Sequence, residues 1–405
     1  MRIIFGCSGC SQRKFEELEK KYKISSGHAI QKYDLLLSRG FTSNGVDISV
    51  ISGLPVNRGV TDKKLIRERD DRESDVGYHY ITTLNLPGLR QLMIFFGALF
   101  GVLRLKKDKE TFAVFDSLNI ACALGMIFGC KIRRIKTAAI VTDLPEMEHN
   151  SSFVRRINNS IFKMTDSFIL LTEQMNERVN KKDMPYIVLE GHVDSDAPLP
   201  GEQLKYEEIN GKKTILYAGS IKKIYGIQSL VNGFLQANIA DSELRIYGSG
   251  DFLPELEALC EIDSRVKYMG VADNAEIVRQ EQKASLLVNP RPPEPEYTRY
   301  SFPSKNMEYM ASGTPLLTTA LPGMPGEYYP YVFILEDYSA EGICAELKRI
   351  LALSPAERRT MGERARKFVL KNKSNTAQAK KITDFLSETS RINDSAENKR
   401  NNKKS

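Results

Sequence analysis

Residues Ser301–Pro315 read SFPSKNMEYMASGTP, and these fifteen positions carry a helix start, a polar face and a helix stop. Pro303 suits an early helical position, where its missing N–H costs little and its φ is already set. Ser304 offers a hydroxyl, and Lys305 a fixed positive charge, at the end of a helix whose unpaired N–H groups favour anions. Glu308 follows one turn after Ser304 on the same face. Gly313 and Pro315 end the helix, and Leu316–Thr319 begins a buried strand. A helix tip equipped for phosphate, with a carboxylate one turn inside for hydroxyls, suits a nucleotide diphosphate attached to a sugar.

Three strand ends precede this segment. Ile215–Gly226 (ILYAGSIKKIYG) is strand, glycine turn, then helix. Gly219 would let a phosphate approach the backbone, with Ser220 and Tyr225 beside it and Lys222 or Lys223 supplying charge. Leu244–Asp251 (LRIYGSGD) ends a second strand in Gly248, Ser249 and Gly250. Leu287–Arg291 (LVNPR) ends a third in Asn289 and Arg291. Each is equally a plain tight βα turn when taken alone. Their order before Ser304 gathers three strand ends and one helix start at a single sheet edge.

Short β-rich runs alternate with longer amphipathic stretches along the whole chain, the pattern of parallel sheets with crossover helices. In the first half the expected strands are 2–6, 46–51, 78–83, 111–115, 137–142, 167–171 and 186–189. Asp116 and Asp143 stand just past strand ends, the edge at which doubly wound sheets bind ligands. A polar stretch at 192–212 reads as a linker, and a second βα series starts afresh at Lys213. The expected layout is α/β, with two Rossmann-like domains facing across a cleft. These are an N-terminal domain at 1–191 and a C-terminal one at 213–372. A helix at 373–392 is free to return to the first domain, and 393–405 is Asn/Lys-rich and reads as a disordered tail.

The chain has 405 residues, enough for two full cores, and 58 basic against 51 acidic residues give a net charge of +7. That excess is too small and dispersed to argue for nucleic acid. The six cysteines follow no framework spacing and read as reduced thiols; Cys7 and Cys10 form a CxxC without a second cluster to complete a metal site. No signal peptide and no bilayer-spanning segment is expected, which points to the cytoplasm. Leu92–Leu103 (LMIFFGALFGVL) is the longest apolar run, flanked by Arg90 and by Arg104, Lys106 and Lys107. It fits a buried core helix or an interfacial one, the latter placing the protein peripherally at a membrane face.

The ordered set YAGSIKKIYGI, IYGSGD, VNPRP and SFPSKNMEYMASGTP resembles the family 4 glycosyltransferases, which have the GT-B fold and transfer sugars from nucleotide donors with retention. In the first half, the stretch from GHAIQKYD to GLPVNR, then IVTDLPEM and FILLTEQMNERVN, are similar to segments of bacterial polysaccharide-assembly members. The resemblance implies a donor clasped by the second domain and a glycan or lipid-linked saccharide acceptor held by the first, with His28 and Asp116 on the acceptor side. It implies Glu308 at the donor ribose, Gly219 in the first phosphate loop and Asp143 beside the reacting sugar. Ser304 and Lys305 would face the diphosphate, with Lys305 as the catalytic cation.

Two departures stand out. Many members have an arginine after the first glycine and a lysine before the later one, where this chain has Ser220 and Tyr225. The usual pair of glutamates would place the first at position 300, which is Tyr300; Glu294 and Glu296 are out of register. The FPSK-type sequence resembles a divergent subgroup lacking that glutamate. No DxD-like pair ends a strand in the second domain, so neither a metal nor any cofactor beyond the nucleotide-sugar co-substrate is expected. A non-catalytic donor-binding subunit and a sugar-nucleotide epimerase on the same fold remain open alternatives.

Overall fold

The computed structural model describes residues 1–22, 28–144, 151–197 and 212–401, with only the backbone for His28 and for 392–401. The residues form two compact units: Met1–His192 with Ser374–Ser405, and Val193–Lys373.

In the first unit the strands are β1 (Arg2–Cys7), β2 (Asp47–Ser52), β3 (Leu65–Ile66), β4 (Asp71–Glu73), β5 (Val76–Tyr80), β6 (Thr83–Leu84), β7 (Thr111–Asp116), β8 (Lys136–Val141), β9 (Ser167–Leu170) and β10 (Tyr186–Val188). Eight of them form one sheet in the order β10-β9-β8-β7-β1-β2-β5-β4, parallel except for the β4–β5 edge pair. β1 is buried from Ile3 to Cys7 and β7 from Thr111 to Phe115. Such continuous apolar runs are what strands covered on both faces require. The order reverses between β1 and β7, so the crevice at their carboxyl ends is this sheet's switch point.

The second unit holds β11 (Lys213–Ala218), β12 (Ser242–Tyr247), β13 (Val266–Tyr268), β14 (Leu286–Asn289), β15 (Leu316–Thr319) and β16 (Phe333–Leu335). They are all parallel in the order β13-β12-β11-β14-β15-β16, the doubly wound arrangement. The switch point falls between β11 and β14. Ile215, Leu216, Leu244, Ile246, Leu286, Leu287 and Leu317 are fully buried within the sheet.

The expected strands recur to within two residues at most ends, but 78–83 divides into β5 and the separate β6. β3, β4, β16 and the helix Gln12–Tyr22 are additions. The last helix runs Asn375–Asn401, so the 393–401 part of the expected disordered tail is helical. That helix lies on His28–Ser43 of the first unit: Asn375 donates to the Leu36 carbonyl at 3.0 Å and Asn44 to the Thr376 carbonyl at 2.9 Å. Gly40 permits the approach, since a Cβ there would strike the Asn375 carbonyl. Of the expected linker, 198–211 lie outside the described residues.

Candidate functional site

The helix Ser304–Ser312 begins after Pro303, whose φ of −74° and ψ of 91° place it at the cap, and no side chain caps the helix. Gly313 ends it at φ 81°, a left-handed conformation that favours glycine. Buried hydrogen bonds fix its position. Asn306 accepts from the Asn289 amide at 2.7 Å and donates to the Thr318 hydroxyl at 3.0 Å, tying the helix start to the ends of β14 and β15. Tyr309 is fully buried, and its hydroxyl accepts from the Ala218 N–H at 2.7 Å and donates to the Ala218 carbonyl at 3.0 Å. The last residue of β11 is thereby pinned to the same helix. Burial raises the Tyr309 phenol well above its ordinary value, so the hydroxyl keeps its proton.

The two glycine loops pack on each other. A Cβ at Gly248, whose φ is 132°, would strike the Gly219 carbonyl, and one at Gly250 would strike the Ile221 backbone. Ile221 donates to the Ser249 carbonyl at 2.8 Å. Gly226, at φ 76°, lies against the Pro290 carbonyl. These glycines therefore serve close contact between loops. A Cβ at Gly219 would first meet the Tyr217 ring, its hydroxyl at 3.0 Å.

The cations divide into committed and uncommitted ones. Lys223 pairs with Glu255 at 2.5 Å, both side chains exposed. Lys222 is exposed, with its Nζ 5.8 Å from the Tyr225 ring centre. The Arg291 guanidinium lies between two rings, 4.4 Å from Tyr225 and 4.9 Å from Tyr297. Its Nε is buried without a hydrogen-bond partner, as is the Tyr297 hydroxyl. Among the described residues no carboxylate pairs with Lys222 or Arg291. Tyr225, which stands where the resemblance places a lysine, is thus the surface on which an arginine from the end of β14 is stacked.

Lys305 and Glu308 pair with each other at 2.8 Å, both partly exposed. The sequence reading gave them separate ligands; the structure makes them one ion pair on the first turn. Ser304, Ser220 and Ser249 are exposed, while Asn289 is buried. Tyr300 is 8% exposed at the end of a short 3-10 helix, Glu296–Tyr300, and Glu294 and Glu296 are exposed. Gly219 and Asn289 stand at the carboxyl ends of β11 and β14, the strands that flank the switch point of the second sheet, Arg291 follows Asn289, and Ser304, Lys305 and Glu308 lie on the helix tied to both strands.

In the first unit Asp116 ends β7, half-buried, its carboxylate accepting from the Leu118 N–H at 2.9 Å. Burial pushes its carboxyl up to about 6. Asp34, which the sequence reading did not single out, is 4% exposed and accepts from the Gly9 N–H at 2.9 Å. Burial, then the neighbouring Asp116 charge, pushes its carboxyl up to about 8. The signal was a lone acid in the otherwise apolar stretch Tyr33–Leu37 of a helix beginning at His28. Asp143 is exposed two residues past β8, with Leu144 between it and the segment 145–150, which lies outside the described residues. His28 is the first residue of its helix. Cys7 and Cys10 are both buried; burial raises Cys7 well above its ordinary value and pushes Cys10 up to about 12. Buried, protonated thiols fit the reading of CxxC as structural.

Comparison with known proteins bears on both units. Residues 212–352 match the sequence profile of the family described as Glycosyl transferases group 1. Among curated proteins there is no significant match. Sucrose-phosphate synthase from Thermosynechococcus elongatus is 16% identical, with a TM-score of 0.65 over 96% of this chain and 99% of that one. A glycosyltransferase from Rickettsia africae is 16% identical, with a TM-score of 0.67 over 96% and 98%. The Anabaena protein HepE in complex with UDP is 13% identical, with a TM-score of 0.65 over 96% and 100%. At these identities the structures establish the fold. Residues 212–352 are thus similar in sequence to the group 1 glycosyl transferases, in a chain with the two-domain GT-B fold.

Proposed function

We propose that this chain is a retaining glycosyltransferase that moves a sugar from a nucleotide-diphosphate donor to a glycan or lipid-linked saccharide in surface-polysaccharide assembly. One observation carries the reading. The uncapped helix start that carries Lys305 is tied to the ends of β14 and β15, and Lys222 and Arg291, which follow β11 and β14, both lie against the Tyr225 ring. The UDP complex of HepE supports a uridine nucleotide as the first donor to try.

In this reading the bond from the anomeric carbon to the diphosphate breaks as the acceptor hydroxyl attacks from the departing side, and the diphosphate takes the hydroxyl proton. The helix tip is held by buried hydrogen bonds before charge develops, which is the efficient form of electrostatic catalysis. Glu308 would hold the ribose hydroxyls, and Asp143 would stand beside the transferred sugar. Protein cations, with no resident metal, would neutralise the leaving group. The test is a panel of nucleotide sugars scored by the rise in melting temperature, since a ligand at one hundred times its Kd adds about 2.7 kcal/mol. No rise with any nucleotide diphosphate would sink the proposal. Tyr300 favours one other reading, a donor-binding subunit without chemistry, because a buried tyrosine stands where the resemblance expects a carboxylate.

A further inference from the structure

We propose that the helices Leu89–Arg104 and Ile120–Arg133 of the first unit form a face that docks on an anionic lipid bilayer. Gly97 and Gly101 meet Ile81 and Ile51, which seats the first helix on the sheet. Gly125 meets the Phe95 carbonyl and Ala98, and Gly129 meets Leu99 and Val102. Contacts advancing in step along both helices make them parallel neighbours, so their carboxyl ends coincide. Ile94, Ala98 and Val102 are spent on the interior.

Most of what remains outward along the helices is apolar. Leu89, Leu92, Phe96 and Phe100 on the first helix, with Phe128 and Ile132 on the second, are 36% to 67% exposed. From Leu89 to Phe100 the stripe runs roughly 16 Å along the helix axis. Phe95 stacks edge-on against Phe128 at 5.8 Å, and Phe96 lies 6.3 Å from Phe100. Neither helix contains an acidic residue.

The coincident carboxyl ends carry a cluster of cations. Lys107 and Arg133 are accounted for by the helix ends, since Lys107 donates to the Arg133 carbonyl and Arg133 to those of Val102 and Leu105. Arg104, Lys106, Lys131 and Arg134 are exposed, and among the described residues no carboxylate pairs with them. A core helix needs neither the outward rings nor the unpaired charges. An apolar stripe rimmed by cations matches a bilayer surface, which offers shallow apolar depth and headgroup anions in no fixed pairing geometry. Among the described residues no helix is long and apolar enough to cross a membrane, so the contact is one of lying on the surface. None of the donor-site residues belongs to this face, and the inference does not depend on the proposed activity.

The test is flotation of the full chain with vesicles of phosphatidylcholine alone or with one-third phosphatidylglycerol. Binding should require the anionic lipid and weaken with salt. Phe96→Ser with Phe100→Ser should cost at least tenfold in partitioning, and each of Arg104→Glu and Lys106→Glu on the order of fivefold. These positions are exposed, so melting temperature and nucleotide binding should stay at the wild-type values. Absence of vesicle binding, or equal binding of wild type and variants, would overturn the proposal. So would a wild-type dimer that the phenylalanine variants convert to monomer, which would give the face to a second copy of the chain.

Discussion

Replacing Lys305 with alanine separates the catalytic reading of the first turn from a structural one. The side chain is about a third exposed and pairs with Glu308 three residues on, at 2.8 Å. Pairs of this kind contribute roughly 0.2–0.5 kcal/mol in helices, because solvent screens them and both side chains give up rotamer freedom. No apolar burial of consequence goes with the ammonium, and alanine is the better helix former. The variant should therefore melt within about 2 °C of the wild type, given some 2–4 °C per kcal/mol in domains of this size. Turnover should behave differently. Loss of one preorganised donor facing a developing anion costs at least tenfold, and up to about a thousandfold. The assay pairs a melting curve with steady-state release of nucleoside diphosphate. Unchanged turnover would refute the role, and a fall in turnover matched by several degrees of lost stability would make Lys305 a structural residue.

Three further outcomes follow from particular contacts. Tyr309→Phe removes the hydroxyl that satisfies both backbone groups of Ala218 and should destabilise the chain by about 2 kcal/mol; a urea titration with no change in midpoint would contradict it. Arg291→Ala should weaken nucleoside diphosphate binding roughly tenfold or more by calorimetry, as expected for a charge-assisted hydrogen bond, whereas unaltered affinity would leave Arg291 as packing between Tyr225 and Tyr297. Asp34 has its carboxyl pushed up to about 8 by burial, against an unfolded value near 4. The native state therefore holds the extra proton, and this contribution is complete below about pH 4 and lost as pH rises through about 8. Asp34→Asn should then gain stability over wild type at pH 8 and little at pH 5; an equal effect at both would rule out a titrating Asp34.

Much of the fold was legible because its signals are local. The buried strands β1, β7, β11, β14 and β15 are short apolar runs bounded by turn residues, and their sequence order already implies parallel sheets. The two-residue strands β3 and β6 have no room to show a period, and β4 (Asp71–Glu73) is a three-residue polar edge strand. The tail beyond Asn393 is almost free of apolar groups, yet its backbone continues the helix that packs on His28–Ser43. The candidate site was legible as a set of segments and not as a set of pairings. Lys222 and Lys223 are neighbours of the same type, and only the position of Glu255 on another helix commits one of them. Gly248 and Gly250 carry the look of a phosphate loop, while their contacts are with another loop. The stacking of Arg291 on Tyr225 joins residues far apart in sequence, so no spacing could announce it.

The central claim is transfer of a sugar from a nucleotide diphosphate by this chain. Its most direct test is a single-turnover reaction with radiolabelled nucleotide sugar, purified protein in excess and a lipid extract as acceptor. Label should move into an organic-soluble or polymeric product whose anomeric configuration matches the donor, and Lys305→Ala should slow that step at least tenfold. Tight donor binding with all label recovered as intact nucleotide sugar would contradict the claim and leave the chain a binding subunit.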